Sequence, residues 1–377
     1  MRALFLAALA LVSVPARTDC PTRPFWPTAS FIDRTAETAL ARPSEIAALE
    51  TFAFTLVGDD ADRIGTRTDA VVIARGGDIV YERYARGWTA DARHYSWSVS
   101  KSVVNALAGI AVGAGLVALD DSVCKYASLP RADHCDITIR NLLEFSSGLQ
   151  WTETYEGQSN QVSSVLAMLY GEGHGDMMSF VAGHDSRDPP GATYMYSSGD
   201  TTFLAGVLDA PLRTAFGNDY AWTRLFDVLG MTSATFESDG CGTPIGSSYV
   251  DATARDLLRF GFLYANDGCW DGARILPAGW VAASTVVSQP YRMRALDTAP
   301  ADGTQGRQLW LNLAVPEQNQ PTPWPDVPLD AFAARGHWGQ SVTIIPSLDL
   351  VIVRTADDRD GTFDFNAFLK LAIAVGS

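Results

Sequence analysis

The sequence predicts an α/β fold, a mixed and mainly antiparallel sheet flanked by helices, with an all-helical subdomain inserted into it. Two β-rich runs near the N terminus, Ala70–Ala74 and Ile79–Tyr84, are separated by a pair of glycines and indicate a hairpin. Two runs near the C terminus, Ser341–Ile345 and Leu350–Arg354, indicate a second hairpin around a Pro-Ser-Leu-Asp turn. Because the long segment between the hairpins has a helical pattern, we expect one sheet built from both ends of the chain.

The helical pattern begins at Ser98 with a helix that is apolar on almost every side. Val103, Leu107 and Ile110 are accompanied mainly by small residues, so this helix is expected to be buried. Asp364 is placed to cap a further amphipathic helix that closes the chain. Other segments with helical spacing are Ile139–Phe145, Val162–Leu169, Thr201–Leu208 and Ala252–Tyr264.

These patterns divide the chain into two units. Residues 17–97 and 266–377 are expected to form a discontinuous sheet domain, and residues 98–265 a mainly helical subdomain that carries the helix beginning at Ser98. A cleft between two such units is where a binding or catalytic site is expected.

The composition is that of an acidic globular protein. Of the 377 residues, 47% are hydrophobic and 19% are charged, which excludes a wholly disordered chain. There are 28 basic and 43 acidic residues, so the formal net charge is −15. Since no run of lysine or arginine is present to neutralise phosphates, we expect neither nucleic acid nor an anionic membrane surface as a partner.

The first 16 residues have the features of a secretory signal peptide. Arg2 supplies a positive charge, Ala3–Val14 is apolar but too short to span a bilayer, and Val14-Pro15-Ala16 resembles a cleavage site. The mature chain is therefore expected in the periplasm or outside the cell, with no stable membrane insertion after signal removal. The alternative is that this segment is kept as an N-terminal anchor helix.

Export makes disulfide bonds possible, but five cysteines cannot all pair within one chain. Cys124 and Cys135 are close in sequence, and Cys241 and Cys269 flank one predicted helix, so these are the preferred pairs. Cys20 would then be left over. Reduced, buried thiols remain the alternative, because connectivity does not follow from sequence alone.

The chemistry is indicated by Ser98-Val99-Ser100-Lys101 at the start of the buried helix. Residues three apart lie on one helix face, so the Ser98 hydroxyl and the Lys101 amine are expected to meet. A serine hydroxyl needs a base before it attacks, and a lysine is a base only when it is neutral. At its ordinary pKa of about 10.4, roughly one lysine in 2,500 is neutral at pH 7, so this lysine must be buried or otherwise perturbed.

Lysine usage supports this interpretation. The chain has three lysines, Lys101, Lys125 and Lys370, and arginine, which does not act as a base in proteins, fills the other basic positions. Ser122 and Lys125 repeat the same spacing, but they lie in a polar connection next to Cys124. We therefore prefer the pair at Ser98 and Lys101.

Several motifs in order make the chain resemble the serine β-lactamase-like hydrolases. This family includes class C β-lactamases, DD-peptidases, and related esterases and amidases such as 6-aminohexanoate-dimer hydrolase. The resemblance covers nearly the whole mature chain and implies the β-lactamase/transpeptidase-like fold. The landmarks are Ser98–Lys101, Leu142–Leu149, Pro190-Gly191 with Tyr196-Ser197-Ser198, Leu229–Met231, Ala252–Leu257 and Gly336–Gln340.

The resemblance implies a role for each catalytic candidate. Ser98 would attack a carbonyl and form an acyl-enzyme, while Lys101 and Tyr196 would share the proton transfers. Tyr194 is a rival for the tyrosine position, although its spacing from the Pro-Gly turn fits less well. The backbone N–H groups of Ser98 and Gln340 would hold the oxyanion. No cofactor and no metal are implied, and the histidines lack the spacing of metal ligands.

The chain departs from the family pattern at two positions. Ser198 stands where many relatives have asparagine, and His337 stands where β-lactamases have a lysine that holds a substrate carboxylate. Both departures favour an ester or a simple amide over a β-lactam. The residues expected to bind substrate are Ser198, His337, Trp338, Gly339, Tyr155 and Trp151.

The predicted function is an exported serine hydrolase that cleaves a small-molecule ester or amide, with 6-aminohexanoate-dimer hydrolase as the relative of interest. One alternative is a penicillin-recognising DD-carboxypeptidase or β-lactamase. Another is a non-catalytic binding module with the same fold. The oligomeric state is left open.

Overall fold

The computed structural model describes residues 19–294 and 303–377, so the expected signal peptide, residues 1–16, lies outside the described residues. The helices are α1 Thr35–Ala41, α2 Pro43–Phe54, α3 Val99–Gly113, α4 Ile139–Leu143, α5 Ser164–Tyr170, α6 Met177–Ala182, α7 Ser198–Phe216, α8 Asp227–Leu229, α9 Ala254–Ala265, α10 Trp280–Ser284, α11 Gln289–Met293 and α12 Phe365–Gly376. The strands are β1 Thr68–Arg75, β2 Asp78–Tyr84, β3 Arg93–Tyr95, β4 Thr235–Phe236, β5 Val250–Thr253, β6 Cys269–Trp270, β7 Ala273–Arg274, β8 Thr304–Gln305, β9 Trp310–Leu311, β10 Phe332–Gly336, β11 Gln340–Ile345 and β12 Leu350–Ala356.

One seven-stranded antiparallel sheet joins the two ends of the chain. Its order is β2-β1-β12-β11-β10-β9-β8, and β1 pairs with β12 from Thr68 opposite Ala356 to Arg75 opposite Leu350. The two predicted hairpins are β1–β2 and β11–β12. The prediction of one mainly antiparallel sheet built from distant segments is therefore confirmed.

Helices cover both faces of this sheet. On one face, α2 and α12 pack through Leu49, Ala53, Phe368 and Leu369 against strand residues such as Ile73. On the other face α9 lies across β1, β11 and β12, and α3 contacts β10 and β11. This second face contains the larger hydrophobic core, which continues into α4, α5, α6 and α7.

The predicted buried helix is α3, and it lies between the sheet and the helices of the middle of the chain. All residues from Val99 to Ala111 are buried, and Ser98 is its N-cap residue. Small side chains permit this close packing on all sides. Because α3 touches both β10 and α7, its N-terminal end lies where strands and helices meet.

The structure contains two disulfides, one of which corrects the expected pairing. Cys124 is bonded to Cys135, as expected. Cys269 is bonded to Cys20 and not to Cys241, which is an exposed free thiol. The predicted helix between Cys241 and Cys269 suggested that pair, but the N-terminal segment runs beside β6 and brings the Cα atoms of Cys20 and Cys269 within 5.6 Å.

Within the described ranges, none of the helices has the length and apolar character needed to cross a membrane.

Candidate active site

The N-terminal turn of α3 holds the predicted nucleophile and base together. Ser98 Oγ and Lys101 Nζ are 3.0 Å apart, because residues three apart occupy one face of a helix. Ser98 is half-buried and lines a cavity of about 600 Å³, whereas the Lys101 side chain is 2% exposed. A hydroxyl open to the cavity and an amine buried behind it suit proton removal from the hydroxyl.

The surroundings of Lys101 favour its neutral form. Burial lowers the pKa of Lys101 to about 8, although the nearby carboxylate of Glu153 opposes this shift. With this pKa, about one molecule in ten carries the neutral amine at pH 7. Lys101 Nζ also lies 2.8 Å from Ser198 Oγ and 3.0 Å from the carbonyl oxygen of Ser247.

Tyr196 lies beside the lysine, as the resemblance implies. The Lys101 Nζ atom is 5.2 Å from the centre of the Tyr196 ring, which lines the same cavity. Phe145 and Trp310 hold this ring, with centroid distances of 5.0 and 5.6 Å.

The rival tyrosine lies away from the cavity. Tyr194 is 2% exposed and packs against Phe145 and Tyr291. Burial raises the pKa of Tyr194 well above its ordinary value. Of the two candidates, the structure therefore brings Tyr196 to the serine and lysine.

The third motif forms the opposite wall of the cavity. The strand β10 ends at Gly336, residues His337–Gly339 form a short 3₁₀ turn, and Gln340 begins β11. Trp338 and Gly339 have φ values of 58° and 91°, and a Cβ at position 339 would lie 2.5 Å from an Arg354 nitrogen. Ser98 and Gln340, the residues expected to supply the backbone oxyanion donors, both line this cavity.

His337 is held by its neighbours in the cavity wall. Its Nε2 atom is 2.7 Å from a carboxylate oxygen of Glu156, which also accepts a hydrogen bond of 2.9 Å from the Trp338 indole. Burial nevertheless lowers the pKa of His337. The imidazole therefore does not provide the permanent positive charge that a lysine would provide at this position.

Tyr155, one of the residues expected to bind substrate, lines the cavity. Its ring centroid is 4.6 Å from that of His337, and its hydroxyl donates a hydrogen bond to Glu153. Burial and the nearby Glu153 carboxylate raise the pKa of Tyr155 well above its ordinary value, so the phenol stays protonated.

Trp151 and Ser198 lie behind the cavity and not in its wall. Trp151 is 5% exposed and its indole nitrogen donates to Glu153 over 2.6 Å. Ser198 is fully buried and lies between Lys101 and Glu153. Trp151 therefore contacts Glu153, and Ser198 contacts both Glu153 and Lys101, from positions outside the cavity lining.

Glu153 is the site residue that the sequence interpretation missed. It lines the cavity, and its carboxylate accepts from Trp151, Tyr155, and both the backbone N–H and the hydroxyl of Ser198. One signal pointed towards it. Serine is shorter than asparagine at position 198, which leaves room for a second polar side chain beyond the Ser198 hydroxyl, and Glu153 accepts a hydrogen bond from that hydroxyl.

The second Ser-x-x-Lys pair is not arranged for catalysis. Lys125 is exposed and forms an ion pair of 2.9 Å with Asp121. The Ser122 hydroxyl donates to the Cys135 carbonyl oxygen.

Within the described ranges, no group of three or more His, Cys, Asp or Glu side chains is arranged to hold a metal ion.

The remaining charges in the cavity wall are largely paired. The buried Arg354 is 2.7 Å from Asp358, and Arg359 lies over the Trp338 ring at 3.8 Å.

Comparison with known sequences identifies relatives over most of the chain. Residues 54–374 match the sequence model of the family described as Beta-lactamase. The 6-aminohexanoate-dimer hydrolase of Paenarthrobacter ureafaciens is 25% identical over 256 residues, or 65% of this chain. The match spans 64% of that enzyme's length, slightly less than two thirds.

Solved structures share the fold. A Bacillus anthracis protein named as a 6-aminohexanoate-dimer hydrolase aligns with a TM-score of 0.66 at 20% identity, covering 87% of this chain and 93% of that one. EstCE1, described as a hydrolase with promiscuous acyltransferase activity, aligns with a TM-score of 0.64 at 15% identity over 90% of this chain and 100% of that one. At these identities the similarity concerns the fold, and it confirms the fold expected from the sequence.

Proposed function

Because the chain belongs to the β-lactamase family of serine hydrolases, we propose that it cleaves a small ester or amide through an acyl-enzyme on Ser98. The observation that carries the proposal is the distance of 3.0 Å between the Ser98 hydroxyl and the buried Lys101 amine. An exposed lysine at this position would be almost wholly protonated at neutral pH. Burial lowers the pKa of Lys101 to about 8, so that part of the amine is neutral and able to accept a proton near neutral pH.

The mechanism follows from the positions of the proposed groups. Neutral Lys101 takes the proton of Ser98 Oγ while that oxygen forms a bond to the substrate carbonyl carbon. The carbonyl oxygen becomes negative and accepts from the backbone N–H groups of Ser98 and Gln340. When the tetrahedral intermediate collapses, the bond to the leaving group breaks, and Tyr196 with Lys101 returns a proton to that group. Water then cleaves the acyl-enzyme by the reverse of these proton transfers.

The cavity supports a small, partly aromatic or apolar substrate. Its volume of about 600 Å³ lies in the range of small-molecule sites, and Tyr155, Trp310 and Phe363 contribute rings to its wall. His337 without a permanent charge disfavours β-lactams that carry a carboxylate. The similarity to 6-aminohexanoate-dimer hydrolase makes a linear amide one of the substrates to examine first.

Export is part of the proposal. The N-terminal 16 residues have the pattern of a signal peptide, and two disulfides are typical of an oxidising compartment. The expected location is the periplasm or the medium.

The proposal is tested by labelling and turnover. A fluorophosphonate probe should label Ser98, and a panel of p-nitrophenyl esters, 6-aminohexanoate dimer and nitrocefin should show turnover of an ester or amide with nitrocefin the poorest substrate. Ser98→Ala should lower kcat/KM at least about a thousandfold. Ser122→Ala, the matched serine of the second pair, should leave labelling and turnover unchanged.

Two outcomes would replace the proposal with its alternatives. Strong covalent labelling by a fluorescent penicillin, with fast nitrocefin turnover, would indicate a penicillin-recognising enzyme. Absence of probe labelling together with absence of turnover on the whole panel would indicate a binding module with the same fold.

A further inference from the structure

The environment of Lys101 determines which way its hydrogen bonds run. Lys101 Nζ lies within hydrogen-bond distance of three oxygen atoms, at 3.0 Å from Ser98 Oγ, 2.8 Å from Ser198 Oγ and 3.0 Å from the Ser247 carbonyl. A neutral amine has two N–H bonds and one lone pair. The Ser247 carbonyl only accepts, so it takes one N–H. The orientation of the Ser198 hydroxyl then decides whether the lone pair faces Ser98 or Ser198.

Glu153 fixes the orientation of that hydroxyl. One carboxylate oxygen, Oε2, accepts from two nitrogens that can only donate, Trp151 Nε1 at 2.6 Å and the Ser198 backbone N–H at 2.9 Å. The other oxygen, Oε1, accepts from the Tyr155 hydroxyl and from Ser198 Oγ, the latter at 2.5 Å. While Glu153 is ionised, the Ser198 hydroxyl donates to it and presents only lone pairs to Lys101.

We propose that Glu153 is a positioning residue that acts through the Ser198 hydroxyl to direct the lone pair of Lys101 at Ser98 Oγ. The two N–H bonds of the neutral amine go to Ser198 and Ser247, and the remaining lone pair faces the proton that must be removed. This inference rests on the proposed function, since it explains how the proposed base is aimed. In this inference Glu153, which the sequence analysis did not identify, affects the reaction without contacting the reacting atoms.

The charge of Glu153 also acts on the lysine. Among the charged groups around Lys101, Glu153 is the one that raises the pKa of the lysine against the effect of burial. The other titratable groups that interact electrostatically with Glu153 are Tyr155, Tyr194, Asp200 and His337. Burial raises the pKa values of Tyr155 and Asp200 and lowers that of His337, and each of these shifts favours the uncharged form. Removal of the Glu153 charge should therefore make Lys101 easier to deprotonate.

Glu153→Gln separates these two effects. The two N–H donors hold the amide oxygen at the Oε2 position, so the amide NH₂ occupies the Oε1 position and donates to Ser198 Oγ. The Ser198 hydroxyl then turns its proton towards Lys101, and the lone pair of the amine turns away from Ser98. We expect slower reaction at Ser98 in a variant whose lysine is nevertheless deprotonated at lower pH.

The experiment measures the rate of Ser98 phosphonylation by a fluorophosphonate, and kcat/KM for the best ester, from pH 5 to 10. In the wild-type protein the rate should rise with pH through about 8, because Lys101 can accept the Ser98 proton only after it has lost its own. Glu153→Gln should lower the maximal rate at least about tenfold and move the rising limb to lower pH. Glu172→Gln, at an exposed position outside the catalytic cavity, should match the wild-type protein.

Ser198→Ala provides a second route to the same answer. It should also slow phosphonylation about tenfold or more, and Glu153→Gln in that background should change the rate less than about threefold, because Glu153 acts through the missing hydroxyl. Ser198→Ala by itself keeps the inference testable if Glu153→Gln does not fold. In that event, Ser198→Ala with a wild-type rate would overturn the inference.

Each remaining outcome decides the question. A Glu153→Gln variant with the wild-type rate, or a slower variant whose rising limb stays at the wild-type pH, would overturn the positioning role. Fully additive effects of the two substitutions would also overturn it. If the wild-type protein shows neither labelling of Ser98 nor turnover, the proposed function fails first, and this result is distinct from the others.

Discussion

At the scale of single residues, the proposed mechanism depends on one amine that must lose its proton. Lys101 is buried among oxygen atoms that accept hydrogen bonds in its charged state and leave one lone pair in its neutral state. Burial opposes the charge, and Glu153 partly restores it. Together these two effects bring the pKa of Lys101 close to neutral pH, where a general base is most effective.

Lys101→Arg tests this requirement directly. Arginine keeps a positive charge but does not deprotonate, and its planar guanidinium does not match the three oxygen atoms around Nζ. We expect kcat/KM to fall at least about a hundredfold, with the melting temperature measured alongside to establish that the fold is kept.

Lys125→Arg is the matched control, because Lys125 is exposed and pairs with Asp121. It should behave as the wild-type protein in both measurements. An active Lys101→Arg variant would show that the hydroxyl is activated by another group, and it would remove the basis of the proposed mechanism.

At the scale of secondary structure elements, the position of the site depends on the packing of α9 and α3 on the sheet. Gly261 of α9 lies directly on β11 and β12, and a Cβ there would be 2.5 Å from a Val351 side-chain carbon and 2.7 Å from one of Val342. The absence of a side chain lets the helix approach the strands closely. The same strands lead to Gln340, so this packing supports the proposed oxyanion donor.

Gly261→Ala should therefore destabilise the protein. The added methyl group must push α9 away from buried strands that cannot move independently, and such overpacking typically costs about 1–3 kcal/mol. Urea unfolding measures this cost. Gly175→Ala adds the same methyl group where nothing lies within 4 Å, and we expect a change within about 0.5 kcal/mol. Equal stability of the two variants would contradict the close approach of α9 to the sheet.

At the scale of the whole molecule, the N-terminal segment holds distant parts of the chain together. Cys20 is bonded to Cys269, 249 residues away in sequence. Arg23 forms two hydrogen bonds of 2.6 and 2.7 Å with Asp349 in the β11–β12 turn, and Trp26 packs against Trp270. The segment that follows the expected cleavage site thus belongs to the folded protein.

Cys20→Ser should lower the free energy of unfolding by about 2–5 kcal/mol, because the crosslink restrains a very long loop in the unfolded chain. Thermal or urea unfolding under non-reducing conditions measures the loss. Cys241→Ser removes the exposed free thiol and should change stability by no more than about 0.5 kcal/mol. A peptide map that links Cys241 to Cys269 would contradict the pairing.

Local patterns in the sequence were sufficient to predict the two hairpins, the buried helix α3 and the contact between Ser98 and Lys101. β-rich runs separated by turn residues predicted both hairpins, and a helix that is apolar on almost every side predicted the burial of α3. The spacing of three between Ser98 and Lys101 predicted their contact, because helix geometry alone places such residues on one face. Each of these features depends on residues that are close together in the sequence.

Contacts between residues far apart in sequence could be identified only from the tertiary structure. Glu153 reaches Ser198 across 45 positions, and Cys20 reaches Cys269 across 249. Neither contact has a local pattern, since a loop carboxylate and a cysteine near the N terminus find their partners only after the sheet and helices have packed. The proposed direction of the Lys101 lone pair also belongs to this second group, because it depends on hydrogen bonds between residues that are far apart in sequence.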